Sequence, residues 1–189
     1  MKSTILIVAL ATLCAHAGAT PVTFSVDPAH SMPRFSYSHF GFSTQLGRFD
    51  KMSGTVTLDS DAKTGSMELQ IDMDSLDGGM PILNKHLKSA DLLDVAKYPT
   101  AVFKSTQIVF DGDRPSAING NLTMHGVTLP VTFTVTSFKH GPHGFVQNRE
   151  AVGGNAVATV SRSAFGVGRF APNVSDEVTI SIGLEAIRD

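Results

Sequence analysis

Three segments of the chain alternate between apolar and polar residues, the pattern of a strand with one face on a core and the other in water. These segments are residues 67–74, 129–136 and 178–185, each with four apolar residues at every second position. Weaker alternation marks six further segments: 22–27, 32–40, 54–59, 100–110, 118–125 and 156–162. A shift of one residue would turn each apolar set to solvent, so the register of the strands is strongly specified.

Turns rich in Asp, Gly and Pro separate these segments, at residues 61–65, 111–113 and 141–144. Regularly spaced strands with short turns predict a mainly β protein, either a sandwich or an up-and-down barrel.

Residues 81–95 break this pattern, because their apolar positions suit the spacing of a helix. Ser89 is expected to cap a second short helical turn that opens at Ala90. Tyr98-Pro99 then returns the chain to extended structure. Such a segment is long enough to cover one end of a barrel, either as a plug that protects the core or as a lid over a cavity.

The first 19 residues predict a cleavable signal peptide, with Lys2 before an apolar run over residues 5–13 and cleavage after Ala17 or Ala19. That run is shorter than the roughly 20 residues of a membrane-spanning helix, and we expect no membrane span elsewhere. The only cysteine, Cys14, lies in the peptide. The exported domain, residues 20–189, is therefore predicted to lack disulfides and Cys-based metal sites, and it is large enough to fold without them.

The charge and the known motifs exclude several classes of function. The chain has 15 Lys and Arg residues and 17 Asp and Glu residues, and it contains no run of basic residues. No nucleic-acid partner is therefore predicted. The sequence has neither a Gly-x-Ser-x-Gly elbow nor a Gly-rich phosphate loop, so we predict no catalytic site and no cofactor. Asp91 and Asp94 fit the stabilisation of a helix start better than acid–base catalysis.

The histidines and four arginines are the remaining candidates for polar chemistry. The guanidinium groups of Arg34, Arg48, Arg162 and Arg169 could bind a phosphate or pyrophosphate head group, although a structural role is favoured for Arg162. No histidine pair has the spacing of a zinc-protease motif, and the loop that contains His140 and His143 has no carboxylate nearby in the sequence. We therefore predict no metal site. Three histidines that came together in the folded protein could still bind zinc. Arg162 follows the apolar register of its strand. We expect it to close the base of a barrel by pairing with a carboxylate and with backbone carbonyls.

Several short segments, in order along the chain, carry a resemblance to a known family. They include DPAHS at 27–31, HFGFS at 39–43, GRF at 47–49, LKSADLLD at 87–94, GNLTMHGVT at 120–128, and Arg162 with FGVG at 165–168. Together they resemble the YceI-like family of secreted bacterial proteins, also called polyisoprenoid-binding YceI domains. The chain departs from the family at Leu92 and Leu93, where paired Phe residues are common.

The resemblance implies an antiparallel, lipocalin-like barrel of about eight strands with a short helical insertion, around an apolar tunnel for an isoprenoid quinone, a polyprenyl chain or a similar lipid. A barrel of this size is either filled by its own side chains or holds one small ligand. Aromatic and Met side chains suit the lining of such a slot. We expect ligand contacts from ten aromatic and leucine residues: Phe35, Tyr37, Phe40, Phe42, Leu83, Leu87, Leu92, Phe103, Phe133 and Phe165. His30 and His39 are expected at a polar head group.

The sequence therefore predicts an exported lipid-binding protein that serves as a carrier or reservoir, with a long-chain apolar molecule as its partner. The family alone implies the periplasm as its location, and a homodimer is possible. Two alternatives stay open. One is a lipid-modifying enzyme that uses a His/Asp pair inside the cavity, and the other is a packed barrel that binds a partner and holds no ligand.

Overall fold

A computed structural model describes residues 20–189, and the predicted signal peptide, residues 1–19, lies outside the described part. The strands are β1 (Val22–Val26), β2 (Met32–His39), β3 (Ser43–Phe49), β4 (Met52–Asp59), β5 (Thr64–Asp72), β6 (Leu76–Asp77), β7 (Thr100–Asp111), β8 (Arg114–Met124), β9 (Val127–Pro142), β10 (Glu150–Ser161) and β11 (Glu177–Arg188). The helix α1 is Pro81–Leu87, and single 3₁₀ turns cover Met73–Ser75 and Ser163–Phe165. No helix among these residues is both long and apolar enough to cross a membrane.

The strands close into an antiparallel barrel of eight positions, as predicted. Three of those positions are each filled by two consecutive strands. β11 pairs with β1 near its end, where Phe24 lies opposite Arg188, and with β2 near its start, where Phe35 lies opposite Ile180. In the same way β4 pairs with β1 while β3 pairs with β2, and β5 pairs with β4 while β6 pairs with β3.

The predicted alternation is confirmed in the strands that showed it most clearly. Leu69 of β5, Phe133 of β9 and Ile182 of β11 are buried in one apolar cluster that also holds Phe103 of β7. β3 was not predicted from alternation. Its apolar residues do not follow the alternation of a strand, because the large apolar side chain of Leu46 points to solvent and the inward-facing position beside it is Gly47.

The broken positions divide the barrel into two halves. The β1 half contains β1, β4 and the ends of β9, β10 and β11 that lie on the same side of the barrel. Every strand in this half is paired with a neighbour on both sides. The α1 half contains β2, β3, β6 and α1. There β6 has only two residues, no ladder joins it to β7 within the described residues, and the segment 78–99 with α1 connects the two strands.

The helical segment is shorter than predicted. α1 ends at Leu87, and residues 88–97 continue as turns. The expected cap at Ser89 is wrong, because its hydroxyl donates backwards to the carbonyl oxygen of His86 (2.7 Å) and so closes the first helix. No helix opens at Ala90.

Candidate functional site

The α1 half encloses a cavity of about 420 Å³. Its floor is buried and apolar, with Met73, Ala101 and Leu122 at most 5% exposed. Leu83 and Leu87 of α1 form one side, together with Leu92 from the turns that follow. Because the helical segment lines this space where a strand ladder is missing, it acts as a wall over a cavity and does not fill the barrel as a plug.

The mouth of the cavity lies between the β2–β3 turn, α1 and the loop at residues 168–174. Phe40 and Phe170 line it and stay 52% and 46% exposed. The rings of His39 and Phe40 lie 4.8 Å apart, and those of His86 and Phe170 lie 5.9 Å apart. The mouth therefore combines exposed aromatic rings with two imidazoles.

The polar side chains on the cavity wall are few. Arg34, Tyr37, His39, His86, Arg162 and Arg169 are the polar lining residues, and the others are apolar. Arg169 forms an ion pair with Asp91 and lies over the ring of Phe170, 5.1 Å from its centroid. Burial raises the pKa of the Tyr37 phenol, and the positive charge of Arg162 opposes that rise. The phenol is therefore neutral at physiological pH.

Arg162 fixes the loop at residues 168–174, which forms one side of the mouth of the cavity. Its buried guanidinium donates to the carbonyl oxygens of Ser175 (2.8 Å), Val174 (2.7 Å) and Arg169 (2.8 Å), and also to that of Val167. The predicted contacts with backbone carbonyls are present. The predicted carboxylate partner is wrong, since no ion pair to Arg162 forms among residues 20–189. Four carbonyls that converge on one side chain already satisfy most of its donors.

The ring of Phe35 depends on a glycine across the ladder. Phe35 pairs with Gly47 of β3, and a Cβ built on Gly47 would lie 2.2 Å from the tip of that ring. The ring lies over the glycine and near Tyr37 and Phe49, at centroid distances of 6.3 and 5.7 Å. These three aromatic residues therefore form one continuous wall of the cavity.

A second, smaller cavity of about 80 Å³ lies in the β1 half. Phe103 and Phe133 line it and pack edge to face, with centroids 5.2 Å apart. Both rings are almost fully buried. Phe103 also lies opposite Leu122, which lines the large cavity, so the two rings separate the large space from the small one.

Comparison with known proteins identifies the family. The YceI-like domain family matches residues 24–186, most of the chain. The chain belongs to the YceI-like domain family. A Pseudomonas putida protein named UPF0312 is 34% identical over 193 residues, covering 100% of this chain and 98% of the relative. A UPF0312 protein of Pseudomonas aeruginosa is 32% identical over 192 residues, covering 100% and 99%.

Solved structures show the same fold as this YceI-like domain. BcnA of Burkholderia cenocepacia superposes with a TM-score of 0.69 at 29% identity, over 85% of this chain and 99% of that one. A domain from Saccharophagus degradans, described as polyisoprenoid-binding, superposes with a TM-score of 0.67 at 16% identity, over 89% and 99%.

The structure brings seven of the twelve predicted site residues together around the large cavity. They are Phe35, Tyr37, His39, Phe40, Leu83, Leu87 and Leu92. Phe103 and Phe133 line the small cavity, and Phe165 is buried in the core beside neither described cavity. Phe42 is 90% exposed at the β2–β3 turn, and His30, with its side chain 63% exposed, lines a groove on the outer surface. Ligand contact at each of these residues stays a prediction.

Sequence reasoning missed part of the lining of this YceI-like domain. Ile71, Met124, Val160, Val178 and Ile180 all face the large cavity. Each lies at the strand end nearest α1. Alternation assigns these residues to the inner face, but only the register between strands shows which end of the barrel they reach.

The statement that His140 and His143 lack a carboxylate is also wrong. His140 Nε2 lies 2.6 Å from Glu150 Oε1, and His143 Nε2 lies 3.6 Å from Glu185 Oε2. These carboxylates come from β10 and β11, so local sequence could not have placed them.

His125 takes a structural role. With Gly126 it forms a two-residue hairpin turn at positive φ, and its Nδ1 lies 3.0 Å from the carbonyl oxygen of Phe165.

Proposed function

We propose that this YceI-like domain is exported to the periplasm and holds a long-chain isoprenoid, of quinone or polyprenyl type, or a similar amphiphile, as a carrier or reservoir. The observation that carries the proposal is the apolar cavity of about 420 Å³ in the α1 half. Its volume falls within the roughly 300–1,000 Å³ typical of sites for small ligands. The description of the Saccharophagus degradans neighbour as polyisoprenoid-binding is consistent with this class of ligand.

Burial of an alkyl or isoprenoid chain supplies the binding free energy. Each buried CH₂ contributes about 0.8 kcal/mol, so a ten-carbon segment gains on the order of 8 kcal/mol before ordering costs. Empty apolar volume is itself destabilising, by on the order of 24 cal/mol per Å³ in engineered cavities. A bound chain therefore stabilises the α1 half as it binds.

The polar groups at the mouth suit the head group of an amphiphile. His39, His86 and Arg169 lie where the cavity meets solvent, beside the exposed rings of Phe40 and Phe170. We propose that the apolar tail enters first and that the head group stays among these side chains. No carboxylate lines the large cavity within residues 20–189, so the His/Asp pair that the enzyme alternative requires is not found there.

The cavity wall offers a matched pair of variants on one helix. Leu87→Trp fills the cavity from its α1 wall, whereas Ile82→Trp adds the same side chain at a position that is 76% exposed. We expect Leu87→Trp to weaken binding of added ubiquinone at least tenfold and Ile82→Trp to leave it unchanged, as measured by native mass spectrometry. Equal affinity in both variants, with folding checked by circular dichroism, would place the ligand elsewhere.

A further inference from the structure

A cluster of ionisable side chains lies on the outer surface of the barrel, away from the large cavity. Asp27 and His30 come from the loop between β1 and β2, and Glu185 comes from β11. One ligand atom from each lies within 4.8 Å of the other two. Glu185 alternates with Leu184 and Ala186, which face the apolar core, so its side chain is on the outer face.

The backbone around this cluster is fixed by hydrogen bonds. The Ser31 hydroxyl donates to the carbonyl oxygen of Glu185 and accepts from its N–H, both at 3.0 Å. The Asp27 N–H donates to the same carbonyl (2.8 Å), and Asp27 Oδ1 accepts from the Ala29 N–H (2.9 Å). The β1–β2 loop is thereby held against β11. Asp27 Oδ2 then lies 2.7 Å from His30 Nδ1.

A fourth group reaches the cluster from the β9–β10 loop. His143 Nε2 lies 3.6 Å from Glu185 Oε2. The other ring nitrogen, Nδ1, is buried and has no hydrogen-bond partner among the described residues. Nε2 is therefore the ring nitrogen of His143 that faces the cluster.

The charge of the cluster matches a divalent cation. Metal ligation requires neutral imidazoles, and in that form the two carboxylates and two imidazoles carry a net charge of −2. Within the described part of the chain, neither Asp27 nor Glu185 forms an ion pair with a lysine or arginine. The other His–Glu pair differs in this respect, because Glu150 contacts both His140 (2.6 Å) and Arg188 Nη1 (2.7 Å) and is already neutralised.

We propose that Asp27, His30 and Glu185, with His143 as the fourth ligand, bind one divalent transition-metal ion of the Zn²⁺ type. Two imidazoles with two carboxylates form a donor set that suits Zn²⁺, whereas Ca²⁺ and Mg²⁺ prefer oxygen ligands alone. The hydrogen bond between His30 and Asp27 gives way to two metal bonds of about 2.0–2.2 Å. The ion joins the β1–β2 loop, the β9–β10 loop and β11, so it has a structural role that is independent of the lipid proposal.

Zinc titration of the untagged protein, after treatment with a chelator, tests the site by isothermal calorimetry. We expect one Zn²⁺ per chain and a higher melting temperature with the metal. His30→Ala and Glu185→Gln should each weaken the affinity at least tenfold, whereas the matched control His140→Ala should leave it unchanged. Cobalt substitution should give the visible absorption of a four-coordinate site, and X-ray absorption should show two imidazoles.

The proposal would be overturned by the absence of stoichiometric Zn²⁺ uptake by the wild-type protein, or by an equal loss of affinity in His140→Ala and His30→Ala. The melting temperature of each metal-free variant separates lost ligation from lost folding. If His30→Ala fails to fold, His143→Ala replaces it, because His143 lies in a surface loop outside the β1–β2 network. Unchanged affinity in Glu185→Gln would equally count against the site.

Discussion

The two halves of the barrel use similar apolar residues but close their walls differently. In the β1 half every strand pairs on both sides, and the interior leaves a cavity of only about 80 Å³. In the α1 half a two-residue strand and a helical segment stand in for the ladder, and the cavity reaches about 420 Å³. The larger cavity of the α1 half therefore results from the missing strand ladder and not from a change in the type of residue that lines the barrel.

The pairing pattern explains why one half packs and the other does not. Adjacent paired strands lie about 4.8 Å apart, which brings inward side chains into contact across the barrel. A helix with side chains is about 10 Å wide and keeps its neighbours further apart. The side chains of Leu83 and Leu87 therefore cover the α1 half without filling it.

The largest expected difference between the halves is the cost of removing a phenylalanine. Phe133→Ala should lower the free energy of unfolding by about 3–5 kcal/mol, because this ring is only 4% exposed and packs against Phe103. Phe35→Ala in the lipid-free protein should cost about 1–2 kcal/mol, because one side of the ring already faces a void. Urea unfolding of both variants measures the difference, and equal costs would contradict the contrast between the halves.

A smaller effect is expected from the arginine that fixes the mouth. Arg162→Ala should destabilise the protein by about 2–4 kcal/mol, because it leaves four inward carbonyls without their donor. Hydrogen exchange should rise most over residues 167–175. Arg114→Ala is the control, since that exposed side chain makes a single long bond of 3.4 Å to Phe138 and should change stability by less than about 0.5 kcal/mol. Similar losses in the two variants would show that the network does not hold the loop.

The smallest effect is pH-dependent and belongs to the turn beside Arg162. A hydrogen bond from the Ser161 hydroxyl, with two more from Ser163, holds the pKa of the Asp176 carboxyl below its ordinary value of 3.8. Because the folded-state pKa is below the unfolded one, this stabilisation is full above about pH 4 and is lost as the pH falls through the folded-state value.

Asp176→Asn should therefore lower stability by about 1 kcal/mol at pH 7. Its difference from the wild type should shrink as the pH falls below 4. Asp61→Asn, in the exposed β4–β5 turn, is the matched control substitution. Thermal melts at pH 7 and pH 3 compare the variants. If the stability difference between Asp176→Asn and the wild type stays constant with pH, the Asp176 carboxylate does not contribute the stabilisation described above.

The sequence predicted the barrel because alternation reports directly on which face of a strand is buried. Residues 129–136 and 178–185 alternate, and both lie in long strands of the barrel. Alternation does not show how strands pair. For that reason Phe133 was expected beside the ligand, although its register places it at the small cavity.

Features built from distant segments were beyond sequence reasoning for the same physical reason. His143 and Glu185 are 42 positions apart in the chain yet meet on the outer surface, because β9, β10 and β11 lie side by side. The four carbonyls that surround Arg162 come from a loop without regular structure. Such contacts depend on loop geometry, which no periodic pattern encodes.

Native mass spectrometry of protein purified without detergent, followed by organic extraction, tests the central claim most directly. We expect a discrete added mass that extracts as an isoprenoid or acyl compound, present in the wild type and reduced in Leu87→Trp. A bare protein mass, with no uptake of added ubiquinone or polyprenyl phosphate, would contradict it and would mean that the α1 half holds no lipid.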